Sequence, residues 1–257
     1  NYTLIDNVLY KRGFSFPYLR CLRAEEGKRV LEEFHVGECS NHIQAQSLYI
    51  KALRLGYYWP TMRADSKYIT QTCERCQKYA YIPKQPSSFL HCMSSPWPFA
   101  QWGLDIVGPL RQSTGQKRNI IVACDYFTKW VEAEAVAEVT EKKVRGFLYN
   151  NILSRFGVPH TLVMDNGTQF NCKGIWDFCA KYGIKPCYAS VAHPQSNGQV
   201  KVINKTLKES IKKRCERFGT GWVDELPGVL WGYRTTKRSA TEESPFRLAF
   251  GCEAVLP

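Results

Sequence analysis

The chain has 257 residues, of which 44% are hydrophobic and 23% charged, a balance typical of a globular protein with one or two folded units. Its apolar runs are shorter than the roughly 18 residues that a membrane span needs, and its first residues lack a secretory signal, so we exclude a membrane protein and a secreted module. Lysine and arginine total 35 against 23 aspartate and glutamate, and the formal charge of +12 favours a polyanionic partner over a basic surface kept for solubility.

The first part of the chain is predicted to hold a small β segment followed by a helical domain. Residues 1–24 form an N-terminal β extension, with strands over 2–5, 8–10 and 18–22. Residues 25–80 are predicted to be helical, because Leu48, Ala52 and Leu55 recur at helical spacing before Gly56, and Pro60 opens a second helix. The proline- and serine-rich stretch 81–98 is predicted to be a linker.

Residues 99–257 alternate between strand and helix patterns. Three strands are expected first, over 102–107, 119–126 and 130–136, and then a helix from about residue 140 to Gly157. Strand 161–164, helix 174–182 and strand 184–189 follow, then a long helix to 217 that opens on the capping pair Ser196 and Gln199, and a helix over 222–233 strained by Pro227. This order predicts an α/β core, a mixed sheet with helices packed on its faces.

The 11 cysteines indicate a reducing, intracellular compartment, because most of them stand alone inside apolar stretches. One group differs: His35 and His42 precede the CxxC pair Cys73 and Cys76. Zinc takes four nitrogen or sulfur ligands in a tetrahedron, so these residues predict a structural zinc site that ties the helices of 25–80 together. Surface histidines are the alternative interpretation, and Cys39 is a possible substitute ligand that we regard as a bystander.

Seven motifs follow one another in a specific order. They are the His-His-Cys-Cys set and the sequences at residues 56–62, 102–109, 125–130, 165–170, 193–199 and 253–257. Together they make the chain resemble the integrases of retroviruses and of gypsy-type LTR retrotransposons, particularly those of plants. The resemblance implies that the chain is a fragment of a transposable-element polyprotein. It also implies an RNase H-like catalytic core over 99–257 behind a zinc-binding domain.

The resemblance further implies a site of two aspartates and a glutamate that holds two Mg²⁺ or Mn²⁺ ions for 3′-end processing and strand transfer. Asp105 matches the first position and Asp165 the second, although an aspartate after a strand is also a common turn former. The third position follows 35 intervening residues, 166–200, and holds Lys201 in place of glutamate. We therefore expect Lys201 to pair with Asp105 or Asp165 in the place of a metal, with weakened Mg²⁺ or Mn²⁺ binding and little or no strand transfer.

A stripe of lysines, Lys201, Lys205, Lys208 and Lys212, follows one side of the helix predicted after residue 196. We interpret it as a contact for the phosphates of double-stranded DNA, with a solvated helix face as the alternative. The resemblance implies that the DNA comprises element ends and target, that the protein forms a homo-oligomer on DNA, and that it is nuclear. A non-catalytic DNA-binding relic or domesticated module is the main alternative, and an RNase H-like nuclease is a weaker one.

Overall fold

The two ends of the chain fold together. In the computed structural model, which describes residues 2–12, 18–37, 40–79, 95–188 and 198–255, one unit comprises Asn1–Ile82 with Trp231–Pro257, and a second comprises Pro83–Leu230. This division places 231–257 with the N-terminal residues, whereas the sequence assigned them to the core 99–257. The boundaries at 24, 80 and 98 stay predictions, and most of the expected linker, residues 81–94, lies outside the described residues.

The first unit contains a four-stranded sheet in the order β1-β2-β3-β4. The first three strands are antiparallel neighbours, and β3 pairs with β4 in parallel. The short fourth strand follows Gly56, whose φ of +85° lies in the left-handed region that glycine adopts without strain. The strands are β1 (Tyr2–Ile5), β2 (Val8–Lys11), β3 (Leu19–Cys21) and β4 (Tyr57–Tyr58).

Helices of the first unit enclose a small apolar core. Gly27 packs so closely on Trp59 that a Cβ at residue 27 would lie 2.5 Å from the indole. The buried side chains around it are Leu22, Leu31, Ile43, Leu48, Ala52, Trp59 and Met62. The helices are α1 (Ala24–Val36), α2 (Ala45–Arg54), α3 (Met62–Thr72), α4 (Glu74–Lys78) and, near the end of the chain, α10 (Pro245–Phe250).

The second unit is built on a five-stranded mixed sheet in the order β7-β6-β5-β8-β9. The first three strands in sequence are antiparallel, and β8 and β9 extend the sheet in parallel from β5. Strand β6, between β5 and β7, is buried from Ile120 to Asp125, as its apolar sequence predicts. The strands are β5 (Gln101–Val107), β6 (Asn119–Asp125), β7 (Val131–Val136), β8 (Thr161–Met164) and β9 (Lys185–Tyr188).

Helices pack on this sheet where the sequence places them. Thr140 caps the first of them, and its side chain accepts a hydrogen bond from the Lys143 amide. The following turn is π-helical (Leu148–Leu153) before the last α-turn, α6. The helices are α5 (Glu141–Phe147), α6 (Ser154–Phe156), α7 (Lys173–Tyr182), α8 (Gly198–Phe218) and α9 (Trp222–Arg234). Pro227 lies inside α9, and the boundary between the two units, after Leu230, falls within the same helix.

The predicted α/β class is confirmed, with three antiparallel strands followed by alternating helices and strands. Strand β4 and helices α4 and α10 were not predicted as separate elements. The capping pair Ser196 and Gln199 falls on residues whose side chains the structure does not describe. In the described part of the chain, no helix combines the length and the apolar character that a bilayer span requires.

Candidate functional site

Four metal-binding side chains converge in the first unit. His35 lies in the last turn of α1 and His42 in the loop before α2, while Cys73 separates α3 from α4 and Cys76 lies within α4. One ligand atom from each lies within 4.8 Å of all the others. His42 Nδ1 is 3.2 Å from Cys73 Sγ and 3.8 Å from Cys76 Sγ, and His35 Nε2 is 3.4 Å from Cys76 Sγ.

These separations fit a tetrahedral zinc ion. Zinc bonds of about 2.0–2.1 Å to nitrogen and about 2.3 Å to sulfur place neighbouring ligand atoms roughly 3.3–3.8 Å apart. The two histidines are 1% and 6% exposed, which contradicts the alternative that they are surface residues. Four protein ligands leave no open position, so the site is suited to holding the fold together. Cys39 lies outside the described residues.

The carboxylates of the second unit come from adjacent parallel strands. Asp105 lies in β5, and Asp165 directly follows β8. The register pairs Gly103 with Val163, so the residues two positions further along the two strands are Asp105 and Asp165. A side chain at 105 points to the same face as one at 103, because strand side chains alternate. The two predicted metal ligands therefore share one edge of the sheet.

Burial and neighbouring charge set the ionisation of Asp105. Burial raises its pKa above the ordinary value, and the charge of Asp165 raises it further. Hydrogen bonds from the Ile106 amide and the Asn204 side chain oppose these effects, as does the ammonium of Lys201. The charges of Asp165 and Lys201 thus both act on Asp105, as expected for three neighbouring positions.

Lys201 lies in the first turn of α8, at the edge of the sheet that carries the carboxylates. Its side chain is exposed, and among the described residues it forms no ion pair within 4.0 Å. The expected direct pairing with Asp105 or Asp165 is therefore absent from this arrangement. Its charge acts on Asp105 at longer range.

Asn204 is a site residue that the sequence did not reveal. One turn after Lys201 on α8, it donates from Nδ2 to Asp105 Oδ2 over 2.8 Å, and it is 7% exposed. Its spacing of three from position 201 places it on the same helix face, which was the available signal. The other oxygen of Asp105 accepts from the Ile106 amide at 2.9 Å.

Asp165 also makes the turn that its sequence context suggested. Its Oδ1 accepts a hydrogen bond of 3.0 Å from the Gly167 amide. A carboxylate has further lone pairs, so this turn and a role in metal binding are compatible. Most of the motif at 193–199, the residues from 193 to 197, lies outside the described residues, as do His91, Cys92, Leu256 and Pro257.

The basic stripe on α8 is exposed while the opposite face is buried. Lys201, Lys205, Lys208 and Lys212 are all exposed. The inward side chains are Val200, Ile203, Leu207 and Ile211, which are buried, and Cys215, which is half-buried. Arg214, which adds to the positive charge of the sequence, is instead buried and pairs with Glu225 at 2.7 Å. The helix thus presents a row of cations from Lys201 to Lys212, about 16 Å along its axis.

Comparison with known proteins separates the same two regions. Residues 23–81 match the integrase zinc binding domain, and residues 96–194 match the integrase core domain. "Gypsy retrotransposon integrase-like protein 1" of Bos taurus is 26% identical over 235 residues, which are 91% of this chain and 46% of the relative. The "Gag-Pol polyprotein" of avian reticuloendotheliosis virus is 29% identical over 229 residues, 88% of this chain and 19% of the polyprotein. The chain thus spans less than half the length of these relatives.

Two solved structures share the fold. The simian T-cell lymphotropic virus intasome, solved in complex with PP2A regulatory subunit B56 gamma, has a chain with a TM-score of 0.63 and 15% identity, covering 90% of this chain and 74% of that one. The HTLV-2 integrase catalytic core domain, solved in complex with magnesium in a trimeric form, has a TM-score of 0.51 and 17% identity, covering 60% of this chain and 99% of that one.

Proposed function

Because this chain joins an integrase zinc-binding domain to an integrase core domain, we propose that it derives from a retrotransposon enzyme of DNA integration whose chemistry Lys201 impairs. The observation that carries the proposal is the convergence of Asp105, Asp165 and position 201 at one sheet edge. The reaction for which this site would have evolved is attack by water or a 3′-hydroxyl on a phosphodiester of DNA.

Asp105 and Asp165 supply the acidic part of such a site. Bound Mg²⁺ or Mn²⁺ ions would activate the attacking hydroxyl and stabilise the leaving oxygen. Hard divalent cations prefer carboxylate oxygens, and both aspartates keep lone pairs beyond the hydrogen bonds that they accept. Asn204 holds one oxygen of Asp105 and so fixes the orientation of that carboxylate. The HTLV-2 core structure contains magnesium, which supports this choice of cation.

Lys201 supports the proposed impairment. An ammonium has three donors and no acceptor, so it cannot ligate a cation. At position 201 it also adds positive charge near the carboxylates, in keeping with its lowering effect on the pKa of Asp105. Both effects weaken Mg²⁺ binding. The fold tolerates the lysine because its side chain extends into solvent.

The exposed lysines of α8 support a role for this helix in DNA binding. They begin at position 201 and continue away from the carboxylates along one helix face. Contacts of lysine with phosphates carry no sequence information, which suits a surface that accepts both element ends and target DNA. We further propose assembly into a homo-oligomer on DNA and a nuclear location, in line with the intasome that shares the fold.

A second function also follows from Lys201. If the chain has lost its chemistry at other positions as well, while Lys201 adds a cation to the DNA-binding face, it is a non-catalytic DNA-binding module. This candidate predicts tight, salt-dependent binding to duplex DNA without any strand transfer, even after the glutamate has been restored.

The test compares the chain with Lys201→Glu in Mg²⁺- or Mn²⁺-dependent strand transfer on element-end DNA, with duplex binding measured in parallel. We expect joining by Lys201→Glu at least a hundredfold above the original chain, and no joining by the control Lys201→Glu/Asp165→Asn. Equal joining by the original chain and by Lys201→Glu would contradict the impairment. Duplex binding by both proteins without joining by either would favour the non-catalytic module.

A further inference from the structure

Arg54, at the end of α2, connects the zinc-binding region to the end of the chain. Its Nη1 lies 2.7 Å from Glu243 Oε2 and 2.9 Å from Glu253 Oε1, and its Nη2 donates to the Glu242 carbonyl at 3.2 Å. Only 10% of its side chain is exposed. A guanidinium with several partners and little solvent makes stronger charge-assisted bonds than an exposed surface pair.

A second contact lies one helical turn earlier on α2. Lys51 is 5% exposed, and its Nζ lies 3.5 Å from Thr235 Oγ1. A gap of about 10 Å³, space for about one water, lies among the side chains of Lys51, Arg54, Thr235, Ser244 and Glu253. The surfaces of α2 and of residues 235–254 are therefore closely packed.

A third contact involves the side chain next to a predicted zinc ligand. A Cβ at Gly232 would lie 2.7 Å from Asn41 Nδ2, so glycine permits the close approach. Asn41 precedes His42, whose φ of +51° is uncommon for a residue other than glycine. Surrounding packing has to maintain such a conformation. Gly232 and Asn41 thus place the end of α9 against the loop that presents His42 to the metal.

We propose that residues 231–255, here called the return segment, position the zinc ligands and are in turn held in place by the metal. Arg54 anchors the segment through Glu243 and Glu253, and Gly232 brings it against Asn41. If docking of the segment favours the ligand geometry of His42, then zinc binding must favour docking to the same extent, because coupling between two sites is reciprocal. None of the residues involved is Asp105, Asp165 or Lys201, so the inference is independent of the proposed catalysis.

The first test uses variants of the whole chain and measures zinc affinity by competition with a chromogenic chelator. Arg54→Met removes the guanidinium and keeps the apolar stem, and Arg29→Met makes the same change at an exposed position of α1. We expect Arg54→Met to weaken zinc binding about tenfold, within the range typical of coupled sites, and Arg29→Met to leave it within twofold of the original. A second variant, Gly232→Val, pushes on Asn41 without changing charge and should also weaken zinc binding.

The second test needs no substitution. Hydrogen exchange of the original chain is followed with zinc bound and after its removal. Coupling predicts that the amides of α10 (Pro245–Phe250) lose at least tenfold protection without zinc, whereas those of β6, in the other unit, keep theirs. Equal α10 protection in both states would overturn the proposal, as would equal zinc affinities of Arg54→Met and Arg29→Met, or the absence of zinc binding.

Discussion

Asn204 and Asp105 are joined by a hydrogen bond of 2.8 Å although 99 positions separate them in sequence. The bond fixes a carboxylate oxygen of β5 to the second turn of α8. Among the described residues, no group donates a hydrogen bond to the buried Asn204 Oδ1. A change in the charge of Asp105 therefore acts directly on its bond with Asn204.

We predict that Asp105→Asn stabilises the protein in buffer that contains zinc but no Mg²⁺ or Mn²⁺. The pKa of Asp105 is raised in the fold, mainly by burial. A carboxyl group whose pKa is higher in the folded protein than in the unfolded chain, where it is about 3.9, adds to stability at pH values below 3.9. This stabilisation is lost as the pH rises through the pKa of the folded state. The neutral asparagine avoids this loss, and Asn204 can turn its free Oδ1 towards the new amide.

Thermal unfolding measured at pH 7 and near pH 4 checks this prediction. The melting temperature of Asp105→Asn should exceed that of the original chain at pH 7, and the difference should shrink near pH 4. The control Asp177→Asn changes an exposed carboxylate of α7 and should give no such pattern. A lower melting temperature of Asp105→Asn at pH 7 would contradict the account.

The four-residue metal cluster predicts one bound metal with two thiolate and two imidazole ligands. Co²⁺ substitution should give the visible absorption of a tetrahedral site, because the ligand spacing suits four-coordination. Cys73→Ser should reduce the sulfur-to-metal charge-transfer band by about half, and Cys187→Ser, in β9 of the second unit, should leave it unchanged. An octahedral spectrum from the original chain would contradict the assigned ligand set.

The α8 stripe predicts that Lys205→Ala and Lys208→Ala each weaken binding to duplex DNA of any sequence. Each lost phosphate contact should reduce the slope of log affinity against log salt by about 1. Lys67→Ala removes an exposed lysine of α3 and serves as the matched control. Fluorescence anisotropy at several salt concentrations measures both quantities, and identical slopes for all three variants would favour a merely solvated helix face.

We predict that Gly103→Ala destabilises the protein by steric crowding where β5 meets α8. A Cβ there would lie 2.5 Å from both the Tyr126 hydroxyl and a Val200 methyl. Overpacking of this kind typically costs about 1–3 kcal/mol, so Gly103→Ala should lower the free energy of unfolding by that amount.

The matched control is Gly146→Ala in α5, where a Cβ would meet no atom within 4 Å. Alanine suits a helix interior better than glycine, by about 0.5–1 kcal/mol. Urea unfolding should therefore shift the two variants in opposite directions, and a stabilised Gly103→Ala would show that α8 can retreat from the sheet.

Local sequence predicted most of the strands and helices and identified the candidate metal ligands, because periodicity and motif spacing act over short distances. The short spacing between Cys73 and Cys76 and the end of β8 before Asp165 are of this kind. The bond from Asn204 to Asp105 and the contacts of Arg54 with Glu243 and Glu253 were missed, because they depend on tertiary packing. Arg214 shows the same limit, because its burial against Glu225 also depends on tertiary packing.

The two-sided character of α8 also determines which mutations the chain can accumulate. A substitution on the exposed side, such as lysine at 201, leaves the apolar face against the sheet and the fold intact. A single-residue insertion near the start of α8 would rotate every following side chain by about 100°. It would move Asn204 away from Asp105 and turn charged residues towards the sheet. Under the proposed function, a copy of this sequence loses its chemistry through one codon and persists as a folded protein, whereas a shift of helical register removes the fold and the site together.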